Sequence, residues 1–408
     1  MDYHHIVRQP IFNRQRQLHS YELLLRRAPL PDMDEPPPDI TEEAMLRPKG
    51  PHKLATTLDM TAGLPAMIQF DTAELLEMAP LSIPKKQLIV RVASSVRPTS
   101  DVINALIKIC NRGYQLAVHL PNDPTWEPIY PLLSYVLVNL KTDSQEAIVA
   151  LKAQLDESGV NYQSMAIGVD SYKHFVQAKK LGFSLFQGTF FSRPQGHNPI
   201  DLTPQQEKLV QLICECSKPA ADLLLMSSII ETDRAITERL IKYVNSPAFL
   251  RGNPIENLTQ ALVYLGEDEV KRFATVIAVG QLNDSKPAEL LRLAITRARF
   301  CELLAKEQNN TVDPARAFLV GLFSTLDAVM DAQLTELLQR LSLNTDVRQA
   351  LIDHKGMMAG YLAVVSTMEK GSWARLKTAL DRLKVPEESL VRMYKDAIQW
   401  ANAYERDK

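Results

Sequence analysis

Four cysteines in 408 residues, Cys110, Cys214, Cys216 and Cys301, are too few to staple a chain of this length. They read as reduced, buried thiols. Excess charge is equally scarce. The 46 Lys and Arg residues stand against 48 Asp and Glu, a formal net charge of -2, so no broad field draws the chain to nucleic acid or anionic lipid. Nor is there a basic patch with interleaved aromatic residues. No apolar run is long enough to cross a bilayer, and the opening Met1-Asp2-Tyr3-His4-His5 has no apolar signal core. The expectation is a cytoplasmic protein without membrane contact. Internal repeats are absent from the sequence, and low complexity is confined to a short proline cluster.

What the chain does have is 46% apolar content, enough for a sizeable core in each of two or three domains. Up to about Pro199, short β-rich runs alternate with helical stretches. The strands expected are Val7-Phe12, His19-Leu25, Ala66-Asp71, Leu88-Val92, Gln115-Leu120, Val136-Leu140, Ala166-Val169 and Leu185-Phe186. Between them, Asp101-Arg112 and Ser144-Ser158 space apolar residues by three and four, one face of a helix. Such alternation over roughly two hundred residues favours a closed α/β barrel of the TIM type, its parallel strands joined by helical crossovers. The prolines of Pro29-Pro51 exclude a long helix there, leaving a loop with at most a short helix near Thr41-Leu46.

After Arg193-Pro194 the pattern becomes helical. Pro204 just inside a helix start, Asn257 with Gln260 three residues on, and Gly266 just past Leu265 are start and stop signals. The expected organisation is a barrel domain over 1-199 and an all-α domain over 200-408, joined through Gln195-Asp201.

The opening Arg8-Gln9-Pro10-Ile11-Phe12-Asn13, followed by Tyr21-Glu22-Leu23-Leu24-Leu25-Arg26, resembles the start of an EAL domain, the cyclic di-GMP phosphodiesterase family. The segment from Leu181 to Pro194, with Phe186-Gln187-Gly188 at its centre, looks like that family's closing motif. From Leu223 to Leu282 the chain is similar to the HDOD domain, through Leu240-Ile241-Lys242-Tyr243-Val244-Asn245-Ser246-Pro247 and Ile255-Glu256-Asn257-Leu258-Thr259-Gln260-Ala261-Leu262. The combination resembles bacterial EAL-HDOD signalling proteins and implies an EAL-like TIM barrel followed by a helical HDOD domain.

The resemblance implies a site at the carboxyl ends of the barrel strands, where acids and an Asn would hold two divalent cations. Glu22 stands at the signature Glu, and Arg26 at the arginine that helps hold a ligand phosphate. Gln69 falls at the second-strand Asn, one methylene longer. Arg91 puts a permanent cation where the third-strand Glu belongs. His119 and Leu120 replace an adjacent Asp pair, Asn139 replaces a Lys, and Ile167 replaces a Glu. Asp170 and Gln187 remain. The residual ligand-binding set is then Glu22, Arg26, Gln69, Asp170 and Gln187, with no metal and no cofactor expected. Bland readings stand beside it. Glu22 and Arg26 can pair with each other, His119 reads as a hydrogen-bonded wall residue, Gly188 as a turn glycine, and Phe190 and Phe191 as closure of the barrel floor or domain junction.

In the helical half, an HD-type hydrolase needs a His-Asp pair, and Ser324 and Thr325 stand at those positions. The charge run from Gly266 to Arg272 reads as a helix start with its acids near the positive end, on a solvated face. The reading that results is not an enzyme. It is a catalytically inactive regulator, in or near cyclic di-GMP pathways of motility and biofilm, acting through other signalling proteins. One alternative is a receptor that binds cyclic di-GMP without hydrolysis; another is an active phosphodiesterase. Nucleic acid and membrane are not expected partners, and a homodimer is implied by the resemblance.

Overall fold

The computed structural model describes residues 5–26, 59–119, 124–144, 146, 148–149, 153, 159, 161–196, 201–218, 221–245, 252–309, 311–341 and 343–404. The proline-rich segment 29–51 and Leu120 lie outside the described residues, as does most of the helix expected over 144–158. Contacts divide the chain into two units. One is Met1–Phe191 with Met368–Thr378; the other is Ser192–Thr367 with Ala379–Lys408.

In the first unit eight strands close a barrel in chain order: β1 (His5–Asn13), β2 (Leu18–Arg26), β3 (Ala66–Phe70), β4 (Leu88–Val92), β5 (Gln115–His119), β6 (Leu133–Asn139), β7 (Gln163–Ile167) and β8 (Leu185–Gln187). From β2 to β8 neighbours are parallel, but β1 runs antiparallel to both β2 and β8. That corrects the expectation of parallel strands throughout. Only residues 14–17 separate β1 from β2, too short a link for a helical crossover. The Asn13 side chain accepts from the Gln15 and Gln17 amides at 2.9 Å, and Arg16 takes the left-handed conformation, φ 63, so a tight turn forms instead.

Helices α1 (Thr72–Leu76), α2 (Ser100–Asn111) and α3 (Tyr172–Lys180) lie between the later strands. α2 shows why they form: the Thr99 side chain caps it by accepting from the Val102 amide, and Val102, Ile103, Ala105, Leu106 and Ile109 make one buried face. Between β5 and β6 the link is a 3₁₀ stretch, Pro124–Leu132, because Pro128 and Pro131 remove donors an α-helix needs. Inside the barrel, Ile11, Met67, Ile89, Ala117, Tyr135, Leu137, Met165 and Leu185 form an apolar cluster. These residues sit at alternate positions of their strands, as inward-facing side chains must. The returning segment Met368–Thr378 belongs to this unit, with the Trp373 ring 5.3 Å from His5 and the Glu369 carbonyl accepting from Gln9 at 3.2 Å.

After Ser192 the elements are helices: α4 (Pro204–Cys216), α5 (Leu223–Thr232), α6 (Arg234–Val244), α7 (Leu258–Leu265), α8 (Glu267–Gln281), α9 (Ala288–Glu307), α10 (Pro314–Phe323), α11 (Leu326–Met330), α12 (Leu334–Arg340), α13 (Thr345–Ile352), α14 (Met357–Glu369), α15 (Trp373–Leu383) and α16 (Glu387–Ala403); all but the end of α14 and the start of α15 belong to the second unit. The start signals act as read. Thr203 and Gln206 make a capping box ahead of Pro204, Asn257 accepts from the Gln260 amide, and Gly266 ends α7 at φ 77. No helix among the described residues is long and apolar enough to cross a membrane. The four cysteines are free thiols, and burial pushes Cys110 up to about 11 and Cys216 up to about 12.

α9 is the central helix of this unit, packed chiefly against α10 and α16. Gly321 permits the first contact. A Cβ there would lie 2.4 Å from the Arg297 carbonyl oxygen and 2.5 Å from Ala298 Cα, so the α10 backbone rests directly on that of α9. Toward the carboxyl end of α9, the fully buried Glu302 is contacted by Arg272 and Arg299 at 3.0 Å and by Lys306 at 2.7 Å. Burial alone would raise its carboxyl pKa; the three cations outweigh burial and hold it below the ordinary range.

Two outcomes follow for stability. Gly321→Ala destabilises the helical unit by about 1–3 kcal/mol through overpacking, read from urea unfolding. Glu302→Gln costs about 3 kcal/mol at neutral pH, because it leaves three cations crowded around a neutral amide. The carboxyl pKa is depressed in the folded state, so its contribution is complete above the unfolded value of about 4.3 and is lost as pH falls through the folded value. Unfolding measured between neutral pH and strongly acidic pH therefore shows the difference between wild type and Glu302→Gln narrowing on the acid side.

Candidate functional site

Two residues beyond the apolar plug, each strand presents the next inward position of the barrel. On β3, β4, β5, β6, β7 and β8 those positions are Gln69, Arg91, His119, Asn139, Ile167 and Gln187. The strand period thus gathers at one mouth most of the residues that the sequence singled out. β2 adds Glu22, set opposite Gln9 in the β1–β2 pairing.

Glu22 is the centre of this layer and is 2% exposed. Arg91 Nη1 donates to its Oε1 in an ion pair. Gln187 Nε2 donates to its Oε2 at 2.6 Å and to Gln9 Oε1 at 3.1 Å. Both carboxylate oxygens are therefore engaged. The side chain of Arg26, the partner expected for Glu22, lies outside the described residues. Register explains the choice of Arg91: it lies beside Gln69, which pairs across β3 and β4, and both face the lumen on which Glu22 opens. Gln69 is itself buried. The Arg91 Nε is buried without a hydrogen-bond partner among the described residues.

On the far side of the mouth, His119 Nε2 lies 3.2 Å from Asp143 Oδ2, which also accepts from the Asn139 amide at 2.7 Å. Sequence reasoning by strand ends missed Asp143, because it returns to the mouth from the turn after β6. Its signal was local: an Asp four residues past a strand end is placed to cap that strand's last amide. Lys141 forms an ion pair with the half-exposed Asp170. Ile167 packs against the apolar cluster. Gly188 has φ +153, and a Cβ there would fall 2.1 Å from the Val169 carbonyl oxygen, so the turn after β8 admits only glycine. Phe190 is buried and stacks on Phe175, 4.8 Å between centroids, and Phe190 and Phe191 both contact Phe12.

A pair of divalent cations needs several anionic oxygens facing one point. Among the described residues no group of three His, Cys, Asp or Glu side chains is so placed. Glu22 is taken by Arg91 and Gln187, Asp143 by His119 and Asn139, and Asp170 by Lys141. The described donor set does not fit such a pair. In the helical unit, Ser324 and Thr325 turn back into their own helix. Ser324 Oγ donates to the Gly321 carbonyl at 2.7 Å and receives Arg297 Nη1 at 3.2 Å, while Thr325 is fully buried. Burial raises the carboxyl pKa of the adjacent Asp327.

The HDOD domain family model matches residues 202–353. Over 98% of this chain, and 93% of its own length, the cyclic di-GMP phosphodiesterase CdgJ of Vibrio cholerae is 28% identical. YuxH of Bacillus subtilis is 28% identical over 97% of this chain and 98% of its own length. The crystal structure of an EAL domain protein from Listeria monocytogenes superposes on 47% of this chain and 88% of its own, with 14% identity and a TM-score of 0.35. The CdgJ alignment overturns the expectation that this chain is not an enzyme, since the relative matched almost end to end is named for hydrolysis. The expectation rested on counting acids at strand ends. Loops also bring carboxylates to a barrel mouth, as Asp143 shows.

Removing one member of the central pair exposes how the mouth is held. Arg91→Ala leaves Glu22 buried with only an amide donor and costs about 3 kcal/mol, whereas the double change Glu22→Leu with Arg91→Met recovers most of that loss. Urea unfolding of the four proteins in a double-mutant cycle measures the coupling.

Proposed function

We propose that this chain acts on cyclic di-GMP, taking the dinucleotide at the barrel mouth around Glu22, Gln187, Gln69 and Arg91. The observation that carries the reading is the near end-to-end similarity to a protein named as a cyclic di-GMP phosphodiesterase. Arg91 supplies the chemistry for recognition. A guanidinium binds phosphate oxygens and carboxylates with the same planar fork, so a ligand phosphate competes with Glu22 for it. When Arg91 turns to the phosphate, Glu22 is released from its strongest partner and becomes free to face the scissile group. In this reading residues 1-199 form the nucleotide domain and 200-408 the helical one. Contact of the helical domain with other signalling proteins is supported by Leu224 and Val263, apolar side chains 84% and 81% exposed.

Calorimetric titration of the full chain with cyclic di-GMP, in parallel with chromatographic detection of linear product in magnesium or manganese buffer, tests this. The expected result is saturable binding and product formation. Arg91→Met weakens binding about tenfold, the value of one charge-assisted hydrogen bond, and Glu22→Gln removes turnover while retaining binding. A flat titration with no product from wild-type protein defeats the proposal.

A further inference from the structure

A cavity of about 380 Å³ opens in the helical unit between α4, α8, α9 and α10. Its volume is in the range of sites for small molecules rather than for macromolecular partners. Five cations line it, Lys218, Lys271, Arg272, Lys306 and Arg316, each ion-paired to a carboxylate, with two acids, Asp268 and Asp313, also in the lining and Asp313 3.6 Å from Arg316. The cations come from four places in the chain: the end of α4, the second turn of α8, the end of α9 and the start of α10. Part of this lining is the charge run after Gly266, which the sequence pattern assigned to a solvated helix face.

Such convergence is costly unless the cations are pinned, and buried acids pin them. Glu302 holds Arg272 and Lys306 from beneath, and Glu215, almost fully buried, holds Lys218 at 2.5 Å. Nearer the opening, Glu267 contacts Lys271 at 2.6 Å and Asp346 contacts Arg316 at 2.9 Å. The cations are therefore pre-oriented. An ammonium has three donors and a guanidinium five, and among the described residues Lys306 meets only Glu302. One wall is apolar, formed by Pro314, Phe318 and Leu319. The Cys216 thiol, held up at about 12 by burial, brings no nucleophile at neutral pH.

We infer that this cavity is a binding site for a small phosphate monoester of mononucleotide size, its phosphate among the cations and its organic part against Phe318. The site belongs to the helical unit and does not rest on the function proposed for the barrel mouth.

Full-length protein titrated with GMP, and separately with guanosine, tests the assignment by calorimetry. The expected result is saturable, salt-sensitive GMP binding at least tenfold tighter than guanosine. Lys306→Gln with Arg316→Gln weakens GMP at least tenfold. Lys218→Gln, at a more exposed position, acts in the same direction if the pair variant folds poorly. Absence of GMP binding, equal affinity for guanosine, or GMP affinity untouched by these substitutions overturns the assignment.

Discussion

A carboxylate that water hardly reaches must be satisfied by the protein itself, and the barrel mouth is arranged around that requirement at Glu22. Its two oxygens take an arginine from β4 and a glutamine from β8, strands on opposite sides of β2 around the barrel. The pairing therefore ties the mouth across its width. An ion pair desolvated in this way contributes little net stability beyond an apolar substitute, but leaving either charge alone is expensive.

The helical unit meets the same electrostatic problem differently. Glu302 lies on the central helix, where partners one turn away, Arg299 and Lys306, come from the same helix and a third, Arg272, from α8. Helical spacing makes these contacts local, whereas those of Glu22 depend on barrel closure. Sequence distance separates the two cases: Glu302 finds cations within four residues, but Glu22 finds Arg91 at a separation of 69 and Gln187 at 165.

That difference sets what was legible in the sequence. All eight strands were, because period-two patterning of apolar residues survives in short runs, and their ends shifted by no more than three residues. Helix starts at Thr203 and Asn257 were legible because capping is chemistry within one turn. The mouth residues were singled out through the resemblance to the EAL family, and strand parity is what sets them on one inward-facing layer. Their partners were not. Nothing near Glu22 in the chain points to Arg91 as its neighbour; register decides. Asp143 was hidden in a turn, the antiparallel β1 in the length of a link, and the return of Met368–Thr378 to the barrel in contacts made more than 350 residues away, as between Gln9 and Glu369. The charge run of α8 misled for the same reason, since its periodicity carries no trace of what α9 and α10 bring against it.

The contact at Gly321 sets a length scale for the rest of the helical unit. With two backbones touching, α10 has no cushion of side chains along which to slide over α9, so its position is fixed to a fraction of an ångström. Arg316 and Phe318, five and three residues before that glycine, inherit the same fixity. The cavity they border consequently has one wall of set dimension, a gauge that thermal motion of side chains elsewhere does not rescale.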